Sequence, residues 1–92
     1  MIAYVECEFI IHDSHSLKDK RAVLQRVLTR LKQKYNVAVS EIDHQDVWQR
    51  TRIAIVTVAS SSQSARSVID SALKLTDSFP EWERGETVHE LL

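Results

Sequence analysis

Between Ile11 and Leu17 the hydrophobic period of the chain changes from two residues to between three and four, and this switch restricts the folds open to it. From Ile2 to His12 the residues alternate, with Ala3, Val5, Cys7, Phe9 and Ile11 on one side and Tyr4, Glu6, Glu8 and His12 on the other. Such alternation predicts a half-buried strand, with Cys7 as a small core residue. Ser16-Leu17-Lys18-Asp19 then reads as a capping box, in which the Ser16 hydroxyl and Asp19 carboxylate satisfy orphan amides of a first helical turn. Leu17, Leu24, Val27, Leu28, Leu31 and Tyr35 follow at the spacing of one buried helix face, with Asn36 placed to close the helix.

The same order of periods runs a second time. Asn36 to Ile42 is short and rich in β-branched residues, and Thr51 to Ala59 is a longer apolar run. Both predict strands, and the second reads as a central strand buried on both faces. The polar segment Asp43 to Arg50 joins them. Serines at 60, 61, 62 and 64 supply cap chemistry for a second helix carrying Ala65, Val68, Ile69, Ala72, Leu75 and Phe79 and ending before Pro80. Thr87, Val88, Leu91 and Leu92 permit a short final edge strand. Two strand-helix-strand units in tandem predict an α+β chain: a ferredoxin-like βαββαβ sandwich, with a four-stranded antiparallel sheet covered on one face by two helices. Residues 1–92 are expected to form one domain.

Composition narrows the function. With 43% hydrophobic and 27% charged residues the chain is an ordinary globular sequence. One Gly and one Pro leave no room for a Gly-rich phosphate loop or a flexible linker. A lone cysteine and no secretion signal predict a cytoplasmic protein, and no apolar stretch is long enough to span a membrane.

Charge is distributed unevenly although the net value is only -1. Between Ser16 and Tyr35 stand Lys18, Lys20, Arg21, Arg26, Arg30, Lys32 and Lys34 against the single acid Asp19, so this window carries +6 and the remainder -7. A basic stripe of this kind is an electrostatic footprint for RNA or another polyanion. Lys18, Lys20 and Arg21 fall in the first turn, where the helix dipole disfavours cations, and together with free amides they predict a phosphate site. A second cluster, Glu41 to Arg50, puts His44, Gln45, Asp46, Trp48, Gln49 and Arg50 on one connection. There Trp48 offers an anchor for a protein or a platform for a base, and Arg50 a phosphate partner.

Other chemistries find less support. His12, His15, Asp43, His44 and Asp46 are metal-ligand types, but they lie on separate segments without ligand spacing, so no metal or other cofactor is expected. No nucleophile-base spacing emerges, and no catalytic residue is assigned. RNA-recognition sheets share this element order and stack bases on aromatics of their central strands. Here the expected open face carries Tyr4 beside Glu6 and Glu8, and Thr51 to Ala59 has no aromatic, so an acidic face is predicted that would repel phosphate.

With S-L-K-D-K-R at Ser16 to Arg21, Y-N-V at Tyr35 to Val37 and E-I-D-H-Q-D-V-W-Q-R at Glu41 to Arg50, the chain resembles the bacterial YlxP-like family over nearly its whole length. The resemblance implies a ferredoxin-like fold. Members are often encoded beside genes for translation initiation and ribosome-binding factor A, which implies a role in RNA, ribosome maturation or translation, although no activity is established for the family. The expectation is therefore a non-enzymatic RNA- or ribosome-associated binding module using helix one and the Trp48 loop. Its alternative is a protein-interaction domain, a homo-oligomer included, using the open sheet face or Trp48.

Overall fold

A computed structural model describes all 92 residues and has the element order β1 (Ile2–Ile10), α1 (Leu17–Lys34), β2 (Ala38–Asp43), β3 (Arg50–Val58), α2 (Ser62–Asp77) and β4 (Glu83–Leu91). The strands form one antiparallel sheet in the order β2-β3-β1-β4, so the first and third strands are central. This is the ferredoxin-like arrangement. Alternation along β1 and β3 turns Val5, Cys7, Phe9, Ile53 and Ile55 toward the helices, where they join Val23, Leu24, Val27, Leu31, Ile69, Ala72 and Leu73 in one core. No helix is long and apolar enough to cross a membrane.

Local chemistry sets the helix ends. Ser16 caps α1 by accepting the Asp19 amide at 3.1 Å, while the Asp19 carboxylate takes the His15 amide rather than one within the first turn. Ser61 caps α2 in the same way through the Ser64 amide. The C-terminus of α1 differs from expectation. Tyr35 turns the chain out in an extended conformation, and Asn36 does not adopt the left-handed cap, because the sole positive-φ residue is His44 at 63°.

Two expectations about the sheet are corrected. Strand β3 is buried on one face only: Thr51, Ile53, Ile55 and Thr57 are covered by the helices, whereas Arg52, Ala54 and Val56 lie half-buried on the uncovered face. Both helices sit on the same side, so a central strand keeps one face toward solvent. The final strand is not short. β4 runs nine residues against β1, with a bulge between Cys7 and Phe9. Trp82 anchors its start, stacked on Phe9 at 3.8 Å between ring centroids and donating its indole N–H to the Thr76 carbonyl at 2.7 Å.

Candidate functional site

The two polar clusters singled out in the sequence meet at one end of the molecule. The β2–β3 connection packs beside the β1–α1 connection, and the Gln49 amide donates to the carbonyls of His12 and Ser14 at 3.3 and 3.2 Å. The Ile11 amide donates back to the Gln49 carbonyl at 2.9 Å. Gln49 is therefore a tie between the two connections rather than a free recognition group.

Lys20 is the second tie. It lies in the buried arc of α1 with Val23, Leu24, Val27 and Leu31, and is 1% exposed. Its ammonium donates to Glu41 Oε2 at 2.9 Å and to the His44 carbonyl, and the Thr51 hydroxyl donates to the same Glu41 oxygen. A buried ammonium needs such partners, because an unpaired charge in the interior costs several kcal/mol (about 3–5 when one partner is removed). The prediction of Lys20 as a phosphate ligand is corrected on this ground. Helical spacing carried the signal: positions 20, 23, 24, 27 and 31 share one face, so the lysine falls in the middle of the apolar stripe.

His44 sits at the bend. Its left-handed backbone is held from three sides: its amide donates to Asp43 Oδ1 at 2.7 Å, its carbonyl accepts from Lys20, and its ring Nε2 lies 3.0 Å from Glu8 Oε1. Such a conformation is tolerated best by residues of this kind when the surroundings fix it. Arg50 turns toward the sheet as well, donating to both oxygens of Glu8 at 2.9 and 3.2 Å. Neither His44 nor Arg50 is unengaged.

The uncovered face keeps an excess of acids, Glu6, Glu8, Glu86 and Glu90 against Arg50 and Arg52, but its two central acids are paired. Arg52 donates to Glu6 at 2.9 Å and to Glu86 at 3.0 Å, and lies 3.5 Å from Glu8. Tyr4 donates its hydroxyl to Glu6 at 2.7 Å. Hydrogen bonds from Tyr4 and then Arg52 hold the Glu6 carboxyl below the usual range, and those from His44 and then Arg50 bring Glu8 down to about 2. Burial pushes the Cys7 thiol up to about 11, as befits a core residue.

What remains free is a subset of the predicted site. Lys18, Arg21, Gln45, Asp46 and Trp48 are exposed, and Trp48 is the largest side chain among them at 52% exposure. Of the other cations on α1, Arg26 pairs with Glu81 at 2.6 Å, Arg30 lies over the Phe79 ring and Lys34 over Tyr35. The ion pairs of the molecule include none of Lys18, Arg21, Arg30, Lys32 or Lys34. Lys18, Arg21 and Lys32 share the outward arc opposite the core and stretch about 21 Å along the helix axis. No group of three or more His, Cys, Asp or Glu side chains is placed to hold a metal ion.

Known proteins similar to this chain add a family and a fold. Residues 2–88 match the family described as "Protein of unknown function (DUF503)". The "Uncharacterized protein YlxP" of Bacillus subtilis (strain 168) is 52% identical over 87 residues, 95% of each chain. Among solved structures, a de novo designed protein with a ferredoxin fold, determined by solution NMR, aligns with a TM-score of 0.58 at 14% identity, covering all of this chain and 87% of that one. That likeness speaks for the fold alone. By its sequence, the chain belongs to the DUF503 family, the YlxP-like proteins.

Proposed function

We propose that this protein is a non-enzymatic RNA- or ribosome-associated binding module, acting in ribosome maturation or translation. One observation carries the reading: Lys18, Arg21 and Lys32 stand on one outward stripe of α1 without a carboxylate partner, while the cations elsewhere on the β-sheet are neutralised. Unpaired cations in a row attract a phosphodiester backbone and release its counterions on contact. Trp48, exposed at the same end as Lys18 and Arg21, supplies a flat apolar surface on which a base stacks, worth about 1–3 kcal/mol. Lys20, Gln49 and His44 serve this site by fixing the loop that carries Trp48. A cytoplasmic setting suits both an RNA partner and an unpaired thiol.

The test is the salt dependence of binding to ribosomal RNA. Replacing Lys18, Arg21 and Lys32 together by alanine removes about three phosphate contacts and should flatten the logarithmic salt slope by about two units on single-stranded RNA. Equal affinity and slope in wild type and variant would overturn the proposal. Trp48→Ala should weaken binding while leaving the slope unchanged, because stacking releases no counterions.

A further inference from the structure

The uncovered face of the sheet divides into two ends of different chemistry. At one end lie Ile2, Val58, Val88 and Leu92, which are 39%, 62%, 47% and 65% exposed, around a shallow depression lined by Ala38 and Val56. At the other lie the Glu8, Arg50 and Arg52 pairs. Across the strands the charges are sorted by column: β1 presents Glu6 and Glu8, and its neighbour β3 presents Arg50 and Arg52. We propose that this face is the interface of a symmetric homodimer, with its two-fold axis running parallel to the strands between β1 and β3.

Both properties of the face select that axis. A two-fold parallel to the strands keeps each end over its own kind, so the apolar end of one copy covers the apolar end of the other. It also exchanges the columns, so β1 of one copy lies over β3 of its partner and Glu8, level with Arg52, meets the partner copy's arginine column. An axis in the same plane but across the strands would instead set Ile2 and Val58 over the charged end and strand apolar surface against Glu8 and Arg52. Aligned face-to-face packing is a standard way for two sheets to meet. The acids of β4 then lie over β2, which carries Ala38 and Ser40 on this face. Acids approach one another only where Glu86 comes toward Asp43 at the corners, and sheet twist splays the corners apart.

The size fits a second copy. Four strands at about 4.8 Å spacing and nine residues at about 3.3 Å make a face of roughly 600 Å². Two such faces bury on the order of 1,200 Å², the lower end of specific interfaces, which fits a dimer that dissociates on dilution. The helices lie on the opposite side, so dimerisation leaves Lys18, Arg21 and Lys32 of both copies outermost. The proposal does not depend on RNA binding.

Sedimentation equilibrium across micromolar to millimolar protein tests it. Wild type should shift from monomer to dimer, and Val58→Asp, which places a carboxylate in the apolar end, should raise the dissociation constant at least about tenfold with an unchanged circular dichroism spectrum. If Val58→Asp does not fold, Val88→Asp on the edge strand provides the same reading. A wild type that stays monomeric throughout overturns the proposal. So does a dimer that survives both substitutions or that dissolves on Trp48→Ala alone.

Discussion

On the uncovered face of the sheet, Arg50 and Arg52 each hold a carboxylate within 2.9 Å, and every carboxylate of β1 is itself engaged. Along the outer stripe of α1, Lys18, Arg21 and Lys32 have no such partner. The difference follows from geometry. Antiparallel strands set side chains of neighbouring columns about 4.5–5.5 Å apart, so a glutamate column beside an arginine column pairs by register alone. On the outward stripe of a helix a cation has only neighbours three and four residues away, and the sole acid of α1, Asp19, lies in its first turn. Paired charges rigidify the sheet, and unpaired ones stay available to a ligand.

Lys20 gives the sharpest way to break this contrast, because it belongs to the basic run in sequence and to the paired set in space. Lys20→Met leaves Glu41 half-enclosed without its cation and should cost about 3 kcal/mol in urea unfolding, against near zero for Lys18→Met. Adding Glu41→Leu to Lys20→Met should recover most of the loss, since removing both charges removes the desolvation problem. A Lys20→Met protein as stable as wild type would mean that Glu41 finds water instead.

Next in size is Arg52→Ala on the sheet. Arg52 is the hub between Glu6, Glu8 and Glu86, and its loss leaves the acids of β1 and β4 facing one another. The expected cost is on the order of 1 kcal/mol at low ionic strength, shrinking as salt screens the exposed carboxylates. A loss that does not change with salt would locate the effect in packing of the arginine stem rather than in charge.

How far the sequence could be read follows the same divide. Period switches and cap residues announced all but the last element, because Ser16, Ser61 and the apolar spacings are local signals. β4 was legible only as a short possibility. Its Glu-Arg-Gly-Glu-Thr-Val-His-Glu-Leu run has few apolar residues, and its pairing with β1 and the Trp82–Phe9 stack are contacts of long sequence separation. The pairing of the acids on the open face is hidden in the sequence for a related reason. Glu6 and Glu8 are adjacent in the chain, but Arg52 and Arg50 reach them only through the β1–β3 register. Of the proposed site, Lys18, Arg21, Gln45, Asp46 and Trp48 are exposed groups, whereas Lys20, His44 and Gln49 hold the loop and Arg50 pairs with Glu8 on the sheet.

Acid offers a gentler test of the sheet network. The Glu8 carboxyl is lowered from its ordinary 4.5 to about 2, first by His44 and then by Arg50. A depressed carboxylate stabilises the fold above its unfolded value and loses that contribution as pH falls through the folded one. Stability should therefore decline between pH 4.5 and about 2, and Glu8→Gln should decline less steeply over the same window when both are unfolded in urea. Parallel pH profiles for the two proteins would show that the Glu8 contacts contribute nothing to folding.

The smallest effect belongs to the unpaired stripe, and its smallness is the point. Replacing Lys18, Arg21 and Lys32 by alanine breaks no ion pair, and alanine favours helix at least as well as the residues it replaces, so unfolding stability should change by less than about 0.5 kcal/mol. The stripe also faces away from the uncovered sheet, so the variant should sediment like the wild type. A protein unaltered in stability and assembly but altered in the salt dependence of RNA binding would assign these three cations to a ligand. A loss of more than about 1 kcal/mol would instead show that they help hold the fold, and the division between paired and available charge would fail at α1.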